Sequence, residues 1–116
     1  MGNILSIELS TLKLHTSELV IVRLDYNKTD KRYSINVGTT CRDGVEEAVI
    51  YLNSKLVSTL RDIPRFKYKS TQNLSLSCIK EIKIEVKHPY GNTNIIISKN
   101  FIDAAKRKIK ENVRTS

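Results

Sequence analysis

From Val20 to Val37 apolar side chains recur at every second position, interrupted once by the polar tetrapeptide Asn27-Lys28-Thr29-Asp30. Val20, Val22, Leu24 and Tyr26 fall on one side and Arg23 and Asp25 on the other; the alternation then resumes through Tyr33, Ile35 and Val37. A period of two marks a strand with one buried face. Asn and Asp side chains fold back onto their own backbone in turns. The stretch therefore predicts a β-hairpin, and a hairpin alone cannot bury its apolar face, so the rest of the chain must cover it.

The same alternation runs through Leu5, Ile7 and Leu9 and then Leu12 and Leu14, with a one-residue change of phase near Ser10-Thr11. One strand with a bulge, or two short strands, would read this way. At Asp43 the period changes. Val45, Val49, Leu52, Leu56, Leu60 and Ile63 recur at helical spacing, Asp43 and Glu46 have the spacing of a capping box, and Pro64 supplies a stop. These features predict a helix over 43–63. Further on, Leu74, Leu76 and Cys78 alternate, as do Ile82, Ile84 and Val86, and residues 94–99 return as a strand after the breaker-rich loop 88–92. Asn100 is placed to cap a closing helix that buries Ile102, Ala105, Ile109 and Val113, at the same offsets as Val45, Ala48, Leu52 and Leu56.

These elements imply one α+β domain over residues 1–116, mostly antiparallel sheet, built of two tandem strand–hairpin–helix units (about 1–64 and 65–116) whose two helices and sheets cover one another. On topology alone that plan is similar to the Whirly and PUR-type single-strand-binding folds; no residue motif carries the likeness. Ile96, opposed to Ile95 and Ile97, points to a second chain covering part of the outer face, hence a homodimer.

Composition narrows the classes. A chain with 40% hydrophobic and 28% charged residues is neither disordered nor fibrous, and no apolar run nears the roughly 20 residues of a membrane helix. Charged residues within the first stretch (Glu8, Lys13) do not fit a secretory leader. Ile, Lys and Asn, whose codons are rich in A and T, number 14, 13 and 9, as in many viral and mobile-element proteins. Cys41 and Cys78 are 37 residues apart, which fits no zinc or redox motif; both are expected as small buried hydrophobes of an intracellular chain. Met1-Gly2-Asn3-Ile4-Leu5-Ser6 matches the short pattern for N-myristoylation, although the segment also reads as strand.

The net charge of +8 is confined to one half. Residues 1–60 hold 7 basic and 7 acidic residues, whereas residues 61–116 hold 13 and 5. Such asymmetry points to a polyanionic partner, nucleic acid first, although a charge of this size also keeps a small domain dispersed. Two segments concentrate it. Arg65-Phe66-Lys67-Tyr68-Lys69, if extended, sends three cations to one side and two aromatic rings to the other, the ingredients of single-strand binding and equally those of a protected edge strand. Lys106, Lys110 and Arg114 form an i, i+4, i+8 stripe with Arg107 beside it, which suits a phosphate backbone and equally a solvated helix face. The polar loops Asn27-Lys28 with Lys31-Arg32, and His88-Tyr90-Asn92-Asn94, come third, with Tyr90 a further stacking candidate.

Catalysis finds no constellation. Neither histidine, His15 or His88, has a residue near it in the sequence at acid–base or ligand spacing, no glycine-rich phosphate loop exists, and nothing argues for a site assembled from Arg23, Asp25 or Glu85. No metal, cofactor or catalytic residue is assigned. The expectation is an intracellular nucleic-acid-binding protein, with a protein adaptor or inhibitor using the same patch as the alternative.

Overall fold

A computed structural model describes residues 3–15 and 17–115. The strands are β1 (Ile4–Lys13), β2 (Leu19–Asn27), β3 (Arg32–Thr39), β4 (Val45–Leu52), β5 (Lys55–Ile63), β6 (Tyr68–Ser70), β7 (Glu81–His88) and β8 (Gly91–Ser98), followed by one helix, α1 (Lys99–Thr115). They form two antiparallel four-stranded sheets, ordered β1-β2-β3-β6 and β5-β4-β7-β8. Val20, Val22, Leu24, Ile35 and Val37 of the first sheet and Ala48, Ile50, Ile82, Ile84, Val86 and Ile97 of the second make one core, to which α1 adds Ile102, Ala105 and Ile109. Among the described residues no helix is long and apolar enough to cross a membrane. Met1 and Gly2, on which the myristoylation pattern turns, lie outside the described residues.

The hairpin read from the sequence is β2–β3, in register from Val20↔Thr39 to Asn27↔Arg32. Asn27 Oδ1 accepts from Thr29 N at 2.9 Å and Asp30 N at 3.3 Å, which closes the turn. The phase change in the first strand is a bulge between Glu8 and Ser10, so that Ile7 opposes Leu24 and Ser10 opposes Val22.

The predicted helix over 43–63 is instead the hairpin β4–β5, and with it the two-helix α+β plan of tandem units falls. Ala48, Ile50 and Leu52 are buried while Val49 and Tyr51 are half-exposed on the other face. Leu56, which a helix would have buried, is 55% exposed. Asn53 and Ser54 both have positive φ (51° and 68°), the turn that matches the twist of two-residue hairpins. Asp43 caps no helix: Gly44 after it turns the chain at φ +76°, and a Cβ there would lie 2.4 Å from Ile63 O, where β5 ends. The strands won because apolar residues lie on both faces of β4, so a helical spacing could be picked out of a β-branched segment. The sheets also mix the two halves: β4 and β5 join β7 and β8, while β6 joins the first sheet. The likeness to the Whirly and PUR-type folds goes with the tandem units.

The turn yields a test. Ser54→Gly should stabilise the protein by roughly 0.5–1 kcal/mol in urea unfolding, since Gly takes a positive φ without a Cβ penalty; in a helix the same change would destabilise by a similar amount.

Leu74, Leu76 and Cys78 are also not a strand. Leu74 makes a single bridge to Tyr33, and Cys78 is exposed in a turn at φ 61°, while only Cys41 is buried. Asn53 organises this loop: its Nδ2 donates to Cys78 O (3.1 Å), and its Oδ1 accepts from Lys80 N (2.7 Å) and Glu81 N (3.2 Å).

Candidate functional site

The antiparallel topology gives the sandwich two distinct ends. At one, the β2–β3 and β4–β5 tips, loop 71–80 and α1 gather. At the other lie the β1–β2 turn, the links 40–44 and 64–67, and the Pro89-Tyr90 tip, tied together by Arg65 Nε donating to Thr40 O (3.3 Å), Arg42 N to Glu18 Oε2 (2.8 Å) and Tyr90 Oη to Glu18 Oε1.

The helix end holds a cleft of about 510 Å³. Lys31, Arg32 and Tyr33 enter it from the β2–β3 tip, Leu74 to Ser77 from the loop, and Lys106 and Lys110 from α1; Asp30 is the one acid in its lining. Each contributor is set by a local cause. Lys31 follows the Asx turn at φ 57°, which lifts the chain back into β3. Burial of Ile102, Ala105 and Ile109 fixes the rotation of α1, which sends Lys106 and Lys110 to the cleft. Lys106 Nζ donates to Leu76 O at 3.1 Å, tying helix to loop. Ser75 and Ser77 share a hydrogen bond at 3.1 Å.

A second hollow of about 220 Å³ adjoins the first through Lys110. Tyr26, Tyr33, Ile109, Val113 and Arg114 complete it. The two tyrosine rings are 4.9 Å apart and tilted by 48°. Burial, then neighbouring Tyr26, raises the pKa of Tyr33, so its hydroxyl stays neutral. The Lys106–Lys110–Arg114 stripe thus runs across both hollows. Asp103, an acid of the same helix, is engaged by Lys99 at 2.6 Å, and this hydrogen bond holds its carboxyl below the ordinary range. Arg107 is exposed and lines neither hollow; Lys108 borders a smaller one with Phe101 and Ile7 to Leu9.

The other predicted segment is elsewhere. Residues 65–69 are not one extended run: Lys67 N bonds to Pro64 O, Phe66 has φ 62° with its N–H on Thr39 O, and strand begins only at Tyr68. The cations and rings therefore do not alternate over the stretch. Phe66 is 66% exposed, with the Arg65 guanidinium 4.4 Å from its ring centre. Tyr68 lies across Gly38, where a Cβ would meet its ring at 2.5 Å, and the Arg23 guanidinium sits 3.9 Å from that ring, so it is already stacked within the chain. Lys69 Nζ donates to Arg61 O at 2.5 Å. Tyr68 pairs with Gly38 near one end of β3 and the cleft begins at its other end, Arg32. Six residues of strand put the two groups roughly 20 Å apart. The fold brings Lys106, Lys110 and Arg114 together with Lys31 and Arg32, and leaves Arg65, Phe66, Lys67, Tyr68 and Lys69 apart.

At this opposite end Tyr90 sits between the rings of His15 (5.2 Å) and His88 (6.3 Å), away from the cleft. A hollow of about 490 Å³ there is lined by Asp43, Glu46, Asp62 and His88 among others, but among the described residues no three such side chains are arranged to hold a metal ion. His88 Nδ1 accepts from Tyr90 N (3.2 Å), Nε2 faces Thr93 Oγ1 (2.8 Å), and burial pushes the pKa below the ordinary histidine value. The unfolded chain therefore takes up the proton first, and this contribution to stability fades as pH falls through the ordinary histidine range. Glu18, held low mainly by Tyr90, loses its contribution in the same direction at more acid pH. Urea midpoints should fall from about pH 7 to pH 5, and His88→Gln should flatten that fall; parallel curves for the two proteins would exclude His88 as its source.

No known protein-family model matches the chain, and no curated protein or solved structure matches it.

Proposed function

We propose that this protein binds single-stranded nucleic acid at the helix end of the sandwich, with Lys31, Arg32, Lys106, Lys110 and Arg114 on phosphates and the Tyr26–Tyr33 pair against an unpaired base. The observation that carries this reading is the convergence of four cations, from two segments more than seventy residues apart, on one cleft whose lining has a single acid. Cations that track a backbone beside aromatic faces are what a single strand requires. Lys110 belongs to both hollows, so the phosphate and ring surfaces are continuous. Arg107, exposed beside the stripe, adds to the positive field without entering the cleft. On this reading the chain acts inside the cell as a homodimer, without catalysis or a cofactor.

The experiment is fluorescence anisotropy with labelled single-stranded and duplex oligonucleotides at two salt concentrations. Binding of the single strand at micromolar level or tighter, weakening steeply with salt because phosphate contacts release counterions, is expected, with the duplex weaker. No binding at low salt overturns the proposal and turns the search to a protein with an acidic surface, for which the same cations would serve through charge complementarity.

A further inference from the structure

The cleft at the helix end gathers more positive charge than a strand passing through it requires. Lys31, Arg32, Lys106 and Lys110 line one hollow. Among the described residues the ion pairs lie elsewhere: Arg61 with Glu47, Lys83 with Glu85, Lys87 with Glu46 and Lys99 with Asp103. Asp30, the one acid of the lining, accepts at Oδ2 from Asn27 Nδ2 (3.3 Å). Lys106 holds a carbonyl, Leu76 O, in place of a carboxylate. Lys106 and Lys110 are about 6 Å apart along the axis of α1, a spacing at which like charges repel. Concave surfaces of one sign concentrate ions of the other, so an entering anion offsets that repulsion. Ser75 and Ser77 add donors. Both are exposed and their hydroxyls are 3.1 Å apart; one hydrogen makes that bond and the second remains to donate. Past Lys110 the character changes. The adjoining hollow offers the Tyr26 and Tyr33 rings with Ile109 and Val113, and Arg114 is its one further cation.

We infer that the cleft holds the phosphorylated end of a strand: a terminal phosphate monoester in the first hollow, with the nucleoside that bears it against the tyrosine pair. A phosphate within a strand is a diester with one negative charge. A terminal monoester carries close to two charges at neutral pH and three oxygens that accept hydrogen bonds. Four cations without acids and a free hydroxyl hydrogen in a single hollow exceed the first and match the second. Lys110, shared by both hollows, marks the step from phosphate to nucleoside. The inference rests on the single-strand reading above and narrows it from any segment to an end.

The test is anisotropy of the full chain with internally labelled single-stranded oligonucleotides of one sequence, carrying a 5′-phosphate, a 3′-phosphate or hydroxyls at both ends. One phosphorylated form should bind about tenfold tighter than the hydroxyl form, as for one added hydrogen bond to a charged group; which form does so identifies the end that is held. The advantage should shrink below about pH 6, where the monoester takes up a proton and matches a diester in charge. Ser75→Ala with Ser77→Ala should reduce the advantage about threefold and leave affinity for the hydroxyl form within about twofold, since both positions are exposed. A nucleoside monophosphate should displace the phosphorylated oligonucleotide at concentrations where inorganic phosphate, which has no base for the rings, does not. Equal affinity for the three oligonucleotides overturns the inference and leaves the single-strand reading standing; binding of none of them removes both. An advantage that ignores pH, or that inorganic phosphate abolishes as readily as the nucleotide, also overturns it.

Discussion

Replacing Lys31, Arg32, Lys106 and Lys110 together by Ala is expected to weaken binding of a single-stranded oligonucleotide roughly 100-fold at about 0.1 M salt, and to flatten the log–log salt dependence by about 2–3 units, since each lost phosphate contact removes about 0.7 from the slope. The two readouts guard each other. A general loss of fold would abolish binding at every salt concentration, whereas loss of phosphate contacts flattens the slope. Lys106 also holds Leu76 O, so Lys31→Ala with Arg32→Ala, at the exposed hairpin tip, provides a version without that structural role and should reduce the slope by about half as much. Arg65, Lys67 and Lys69 changed to Ala should leave the slope within about half a unit, because they lie near the other end of β3. A slope that follows the second set and ignores the first would move the interface to the opposite end of the sandwich.

Ile109→Ala should cost about 2–5 kcal/mol in urea unfolding. Ile109 is 1% exposed and lies at the wall formed by Tyr26 and Tyr33, so removing its side-chain carbons leaves a cavity that the rings close only in part. The substitution also bears on the site. A helix in a folded protein takes most of its stability from docking its amphipathic face; loosening it moves Lys106 and Lys110 relative to Lys31 and Arg32, and affinity should fall although no cation is removed. Val113→Ala, one helical turn on and 37% exposed, should cost less than about 1 kcal/mol. Equal costs at the two positions would mean that the buried stripe of α1 does not hold the helix to the sandwich.

The elements legible in the sequence are those whose apolar residues keep to one face. β2 and β3 alternate cleanly between core and polar positions, and the Asn27 turn between them has its own chemistry, so the hairpin could be read directly; the phase change in β1 fitted a bulge or two short strands, and the structure has the bulge. The buried face of α1 was legible for the same reason in Ile102, Ala105 and Ile109. β4 was not: Val45, Val49 and Leu52 satisfy a helical period only because Val49 and Tyr51 place apolar atoms on the outer face of a strand, and the information that decides, positive φ at Asn53 and Ser54, is carried by two residues that also occur within helices. The site divides likewise. Lys106, Lys110 and Arg114 could be found from helical spacing alone, and Lys31 and Arg32 from the hairpin tip. Their union depends on the loop 71–80 and on the docking of α1, which are matters of long-range packing. Tyr26 and Tyr33 looked like core positions and are partly that; Ser75 and Ser77 carried no signal. Arg65 to Lys69 do not alternate as an extended run would, because Phe66 turns the chain.

The most direct test of the account is a backbone amide NMR titration of the full chain with a short single-stranded oligonucleotide at low salt. Perturbations concentrated at Lys31, Arg32 and Tyr33, at residues 75–77 and at Lys106, Lys110 and Arg114 are predicted, with residues 64–68 and Tyr90 unmoved. Shifts centred on Arg65, Phe66 and Lys67, or no shifts at all at saturating oligonucleotide, would contradict it.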